Sequence, residues 1–224
     1  MAFCPRARNR QKGNAIIEFA SVMTFIILPL FFGVVRLGIT MGRYTQAVQV
    51  GRDVAHLYSN GVDFTQVASQ SIVTQQLAAG VGMTNTGGNG VVILSKVKTI
   101  YQADCTAAAV TPCTNLNQPV FTQRITFGNA ALQASSYGTP SSNSIDSAGN
   151  IAATIYCSNS DANVRAVGFE TALDNAYQRA IGTAPTPPVQ PQGDVIYLVE
   201  IIFQYPDLGF LGPTGNVRTS FLFH

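Results

Sequence analysis

Charge is scarce in this chain: only 11% of its 224 residues are Asp, Glu, Lys or Arg, against 46% hydrophobic. That balance is lean for a freely soluble domain and ordinary for a membrane-anchored one. Tryptophan is absent and histidine occurs twice, as His56 and His224. Neither histidine falls in an HExxH or triad-like setting, and no GxSxG, P-loop or paired-carboxylate signature is present. The glycine-rich run GVGMTNTGGNG lacks the GK[ST] of a phosphate cradle. A cysteine nucleophile served by His56 is formally open, but residues in such settings are more often structural. The sequence is therefore read as a non-enzyme with no cofactor and no metal. Basic clusters are missing too. Arg6, Arg8, Arg10 and Lys12 all precede the apolar segment, and without them nine basic residues face eleven acidic ones. No patch is left to grip phosphates, so nucleic acid is not an expected partner.

What the chain does have is one long apolar run. Residues 15–35 read AIIEFASVMTFIILPLFFGVV, enough for a helix spanning about 30 Å of hydrocarbon at ~1.5 Å per residue. The four cationic residues before it outnumber Arg36, Arg43 and Arg52 after it, which points the N-terminus to the cytoplasm. Everything beyond about Thr40 is then extracytoplasmic, and Pro29 predicts a kink in the span. A secretory signal is the rival reading, but its apolar region is shorter and LGITMGRY offers no convincing small-x-small cleavage site.

The junction RNRQKG|NAIIEFA carries the most information. A glycine, Gly13, closes a polar basic leader, and a lone carboxylate, Glu18, follows inside the apolar helix. A charge near the middle of a span costs about 2.5 kcal/mol or more, so Glu18 needs a partner or an exit to headgroup water; both readings stand. These residues resemble the class III signal of type IV pilins, and EFA with the later LPLFFGVVRLG run resembles the TadE-like pseudopilins of tight-adherence systems. The resemblance implies that a prepilin peptidase cuts after Gly13, that Asn14 becomes the mature N-terminus and that Glu18 is the acidic assembly position. It also implies other pilin or pseudopilin subunits as partners, the inner membrane as the site of insertion, and a role in pilus assembly, secretion or cell adhesion. Asn14 differs from the phenylalanine common at this position in many type IV pilins. Cleavage would free an α-amine about one helical turn from Glu18, so a neighbouring subunit could offer its own amine to that carboxylate.

Leu37, Met41, Tyr44, Val48, Ala55 and Tyr58 fall on one helical stripe, predicting a stem that continues the span to about Tyr58, about 65 Å from Asn14 at ~1.5 Å per residue. Assembly stem and plain core helix are both compatible with this spacing. A second helix is expected over 63–79, capped by Asp63. Strands are expected at 91–100, 120–128, 194–205 and 217–223. In the second, Phe121, Ile125 and Phe127 alternate with Thr122, Arg124 and Thr126; the third is apolar on both faces except at Glu200 and Gln204, as suits a central strand. The expected class is α+β, a long N-terminal helix against an antiparallel sheet of about four strands. The expected divisions are a leader (1–13), span and stem (14–58), and an outer domain (59–224) with a loop-rich insertion at 129–193. Inside the insertion a helix is expected over 161–182, with Ala166, Phe169, Leu173, Ala176 and Ala180 on one face. The insertion reads equally as an inert spacer or a binding region.

Cys4 belongs to the leader, whereas Cys105, Cys113 and Cys157 would meet an oxidising compartment. Cys105 with Cys113, closing a short loop between the first two strands, is the preferred pair, but three cysteines leave one over and spacing does not decide connectivity. Their spacing matches zinc motifs poorly. Three functional readings remain: a minor pilin-like assembly subunit at the inner membrane, an unprocessed single-span protein with a ligand-binding outer domain, and an anchored periplasmic enzyme.

Overall fold

Pro29 dictates the first irregularity of the chain. In the computed structural model, which describes residues 12–181, 192–205 and 215–223, α1 (Lys12–Val22), a π-helical turn (Met23–Ile27) and α2 (Leu28–Ser59) follow one another without a break. Pro29 has no N–H, and its ring would crowd the carbonyl of Phe25 one turn earlier. The wider turn absorbs the misfit: the Leu28 N–H bonds to the Met23 carbonyl, five residues back. The distortion expected at Pro29 is thus a π turn just before it. The leader residues Cys4, Arg6, Arg8 and Arg10, the TAPTPPVQP stretch, most of PDLGFLGPTGN and the C-terminal His224 lie outside the described residues.

After α2 come α3 (Val67–Ser71), a π turn (Ile72–Leu77) and a two-strand ribbon, β1 (Met83–Thr84) and β2 (Gly87–Gly88). The α3 helix starts four residues later than Asp63 suggested, because the Asp63 carboxylate accepts from the N–H and hydroxyl of Thr65 and is spent on a local turn. Then follow β3 (Gly90–Thr99), α4 (Gln102–Ala107), β4 (Pro119–Gly128), α5 (Ala153–Ser158), α6 (Phe169–Ile181), β5 (Ile196–Tyr205) and β6 (Gly215–Phe223). The four long strands form one antiparallel sheet in the order β4-β3-β5-β6, with α2 packed across β5 and β6. This is the α+β arrangement, a long N-terminal apolar helix against a four-stranded antiparallel sheet, and β5 is the central strand that its two-sided apolarity predicts.

Alternation divides the sheet into two buried faces. Val92, Leu94, Val199, Ile201 and Phe203 face α2 and meet Ala47, Val50, Val54 and Tyr58 in the first core. On the other face Val97, Phe121, Leu198, Cys157, Phe169 and Leu173 form a second core, built largely by the 129–193 insertion. One strand parity differs from the alternation. Phe121 belongs to the second core while Ile125 and Phe127 belong to the first. The cause is a β-bulge: the β3–β4 register slips between Lys96 and Val97, so one extra β4 residue reverses the sides upstream of it.

The insertion does more than space the strands. Isolated bridges Val120↔Arg165 and Gln123↔Asn150 run along the outer edge of β4 and blunt it. The helix expected from 161 begins only at Phe169. Asp161 instead caps a short 3₁₀ turn (Ala162–Val164), and Gly168 turns the chain at φ +71° before α6.

The helix and sheet approach closely at Gly51, where a Cβ would lie 2.1 Å from the Phe221 ring. Gly51→Ala should therefore destabilise the fold by about 1–2 kcal/mol through overpacking, and Phe221→Ala in the same chain should remove most of that penalty. Denaturant unfolding of the four chains of this double-mutant cycle measures the coupling; additive effects would contradict the contact.

Candidate functional site

The stripe expected along the stem splits in two. Ala55 and Tyr58 are buried and Val48 is half-buried, but Leu37, Met41 and Tyr44 are exposed, and the buried face of α2 runs instead through Ala47, Val50, Gly51, Val54, Ala55 and Tyr58. The physical reason is rotation: Leu37, Met41 and Tyr44 sit to one side of the face that meets the sheet.

Below a neck at Arg43 the helix projects from the domain with most of its apolar side chains exposed. Phe25 is 77% exposed, Ile16 71% and Met41 70%. Across Ala15–Ser59 an 18-residue window reaches a mean hydropathy of 2.2 with none of it buried. This is the one helix among the described residues long and apolar enough to cross a membrane, and it is compatible with a single-pass membrane protein. The hydroxyls of this segment are satisfied within the helix: Ser21 bonds to the Ile17 carbonyl and Thr24 to that of Ala20, both at 2.9 Å. Gly13 and Asn14 lie in the first turns of α1, and Asn14 and Glu18 are one turn apart. Glu18 is exposed, and among the described residues neither of the two ion pairs involves it.

At the neck, Arg43 donates to the Gly80 carbonyl at 2.5 Å and ties the helix to the loop before β1. Higher up, the Tyr58 hydroxyl donates to Gln123 Oε1 at 2.9 Å, while Lys96 lies over the rings of Tyr58 and Tyr197. Burial, with the Tyr197 ring alongside, pushes the Tyr58 phenol well above its ordinary range.

Cys105 and Cys113 form a disulfide with their Cα atoms 5.7 Å apart, closing the loop that carries α4 between β3 and β4. Cys157 is a buried free thiol in the second core, and burial raises its pKa. His56 is exposed on α2 with its ring 5.2 Å from Phe223, on the opposite side of the sheet from Cys157, so the two are not brought together.

The sheet face away from α2 holds a buried polar cluster that the sequence marked only as an exception in β5. Glu200 is fully buried; its carboxylate accepts from Arg218 Nη2, from the Ser135 hydroxyl and from the Ser136 N–H. Beside it Arg124, 6% exposed, donates to the Ser95 hydroxyl and the Gly138 carbonyl, both at 2.8 Å. Burial lowers the Arg124 pKa to about 10, with Glu200 pulling it back up, so the guanidinium stays cationic near neutrality. A glutamate in an otherwise apolar central strand, with Arg218 on the neighbouring β6 and Arg124 on β4 beyond β3, was the available signal. Segment 130–145 roofs this face and is held by Asp161, which accepts from the N–H of Ser141 and the hydroxyl of Ser144.

No protein-family model, no curated protein and no solved structure matches this chain.

Although burial pushes the Asp161 carboxyl up, hydrogen bonds from Ser141, Ser144 and Asn163 hold it below the usual carboxylate range. A depressed folded pKa contributes stability that is present above the unfolded value of ~3.9 and is lost as pH falls through the lower folded value. Asp161→Ala should cost about 1–3 kcal/mol at neutral pH, with the difference from wild type shrinking below about pH 4. Urea unfolding of both chains across pH checks this; a difference that grew on acidification would contradict the assignment.

Proposed function

We propose that the chain is a minor pilin-like subunit of a tight-adherence, TadE-like assembly, inserted with its N-terminus in the cytoplasm and cut after Gly13. The observation that carries this reading is the exposed apolar helix with a single carboxylate, Glu18, one turn from Asn14 and in neither ion pair among the described residues. Exposed apolar area of this extent needs lipid or protein around it. Glu18 finds no partner among the described residues of its own chain, which supports one supplied by another subunit. The freed α-amine of a neighbouring Asn14 has the right charge and would set the axial register between helices.

The neck adds support. About 20 residues suffice to cross the hydrocarbon core, so residues 15–35 fill it and Leu37, Met41 and Tyr44 lie beyond. These three are 64%, 70% and 53% exposed and offer an apolar strip to adjacent helices. The outer domain would then stand on the periplasmic side, carried on the stem, with an assembled pilus as its destination. The other reading, an unprocessed single-span protein whose outer domain binds a ligand, differs at the N-terminus: it keeps residues 1–13.

Two substitutions separate these readings. Gly13→Ala should block processing while leaving insertion intact, since insertion depends on the apolar run. Mass measurement of the N-terminus, with and without a prepilin peptidase, reads this directly, and normal maturation of the variant removes the cleavage claim. Glu18→Ala should insert at least as well as wild type, because a charge is removed from hydrocarbon. It should nevertheless fail to enter the assembly, as read by co-purification with the other subunits; undiminished incorporation would count against the charge pair.

A further inference from the structure

The buried cluster on the sheet's second face does not balance its own charge. Two guanidiniums, Arg124 and Arg218, accompany one carboxylate, Glu200. Glu200 is engaged through both oxygens: one accepts from Arg218 and the Ser136 N–H, the other from the Ser135 hydroxyl. Arg124 is left with neutral acceptors, Ser95 Oγ and the Gly138 carbonyl, and with the face of Phe121, whose ring centroid lies 4.9 Å from its Cζ. These hydrogen bonds use two of the five N–H donors of an arginine. A nearly buried cation without a directly paired anion is costly; among the described residues Arg124 is in neither ion pair, and Glu200, already bound by Arg218, acts on it only through space.

Arg124 also opens onto space. A cavity of about 340 Å³ lies between the sheet and the 130–145 roof, with Arg124 in its wall. Its sheet side carries Val91, Ile93 and Thr126, and its roof side includes Gln133, Pro140 and Ile145. The roof is held in place rather than loose: Ser135 and Ser136 bind Glu200, and Ser141 and Ser144 bind Asp161. A preformed, mostly apolar cavity with one fixed cation and a few hydroxyl and amide groups is the usual build of a small-molecule site.

We infer that this cavity is a binding site for a small organic carboxylate, its anionic head taken by Arg124 and its apolar body by Val91, Ile93, Pro140 and Ile145. A planar guanidinium suits a carboxylate in two-point contact. The apolar walls select an organic acid over an inorganic anion, which would leave them unfilled. The site is independent of the N-terminal processing proposed above and stands or falls separately from it.

The test uses the full chain in detergent micelles, labelled with ¹⁵N at arginine and titrated with acetate, butyrate and benzoate, with benzamide and sulfate as controls. The Arg124 Nε–Hε resonance should shift saturably, most tightly with benzoate, and benzamide and sulfate should bind about tenfold more weakly or less, as expected for loss of a charge-assisted hydrogen bond or of apolar burial. Arg124→Gln should weaken benzoate binding at least about tenfold, read by calorimetry. Should that variant fail to fold, Thr126→Phe narrows the cavity from the sheet side without touching an Arg124 bond and should abolish binding. Absence of saturable binding by any of the three acids, equal binding of benzamide or sulfate, or undiminished binding by a folded Arg124→Gln or Thr126→Phe chain would overturn the assignment.

Discussion

The seam between Ala47 and Tyr58, where α2 lies across β5 and β6, is the contact on which the rest of the molecule depends. At that seam one helix passes from largely exposed apolar side chains before Ala47 to a buried face running from Ala47 to Tyr58. A rigid helix transmits orientation along its length, so the seam fixes how the apolar rod leaves the domain. Gly51 lets Phe221 come close, and Tyr58 reaches across to Gln123 in β4. Fully burying a side chain such as Val54 or Phe203 contributes about 1.5–3 kcal/mol, so a seam of several such residues outweighs any single polar contact at the neck.

The second face solves a different problem. A central strand needs cover on both sides, and β5 receives it from α2 on one and from the insertion on the other. The insertion is pinned by polar anchors, Glu200 at Ser135 and Ser136 and Asp161 at Ser141 and Ser144, and by the disulfide-closed loop that joins the same core. Hydrogen bonds made by a buried carboxylate are directional and costly to leave unmade, so they specify one roof conformation where apolar contacts alone would allow several.

Much of this was legible in the residues. The apolar run, the four strands, the central place of β5 and the α+β class follow from periodicity and β-branched content, signals that survive without knowledge of tertiary contacts. What escaped were features created between elements. The side of Phe121 is set by a bulge against Lys96 and Val97, and a bulge leaves no mark on the alternation of one strand read alone. The buried stripe of α2 is rotated from the one its spacing suggested, because Leu37, Met41 and Tyr44 are apolar for reasons other than the core. Asp63 and Asp161 both resemble helix caps, yet each closes a local turn, since a short carboxylate side chain serves either geometry equally well. The Arg124 environment needed three segments far apart in the chain, 95, 124 and 138, to be seen together.

Two glutamates in apolar stretches of sequence stand in contrast. Glu200 sits at the centre of the sheet with both oxygens bonded from its own chain, and its charge is matched by Arg218. Glu18 sits on a helix whose neighbours are Ile17 and Phe19, with no answering group among the described residues. Glu200 meets a desolvation problem inside the fold, and Glu18 would meet the same one wherever its helix lies in hydrocarbon, since carboxylate hydration must be replaced wherever water is excluded. The first is solved by folding alone. On the assembly reading proposed above, the second would be solved from beyond the described residues, by headgroup water or by the charged group of another molecule, and the two solutions differ in what they do. Water would leave Glu18 free to take any depth and rotation, whereas a cationic partner at one position would fix both, converting an energetic burden on the helix into a register between chains.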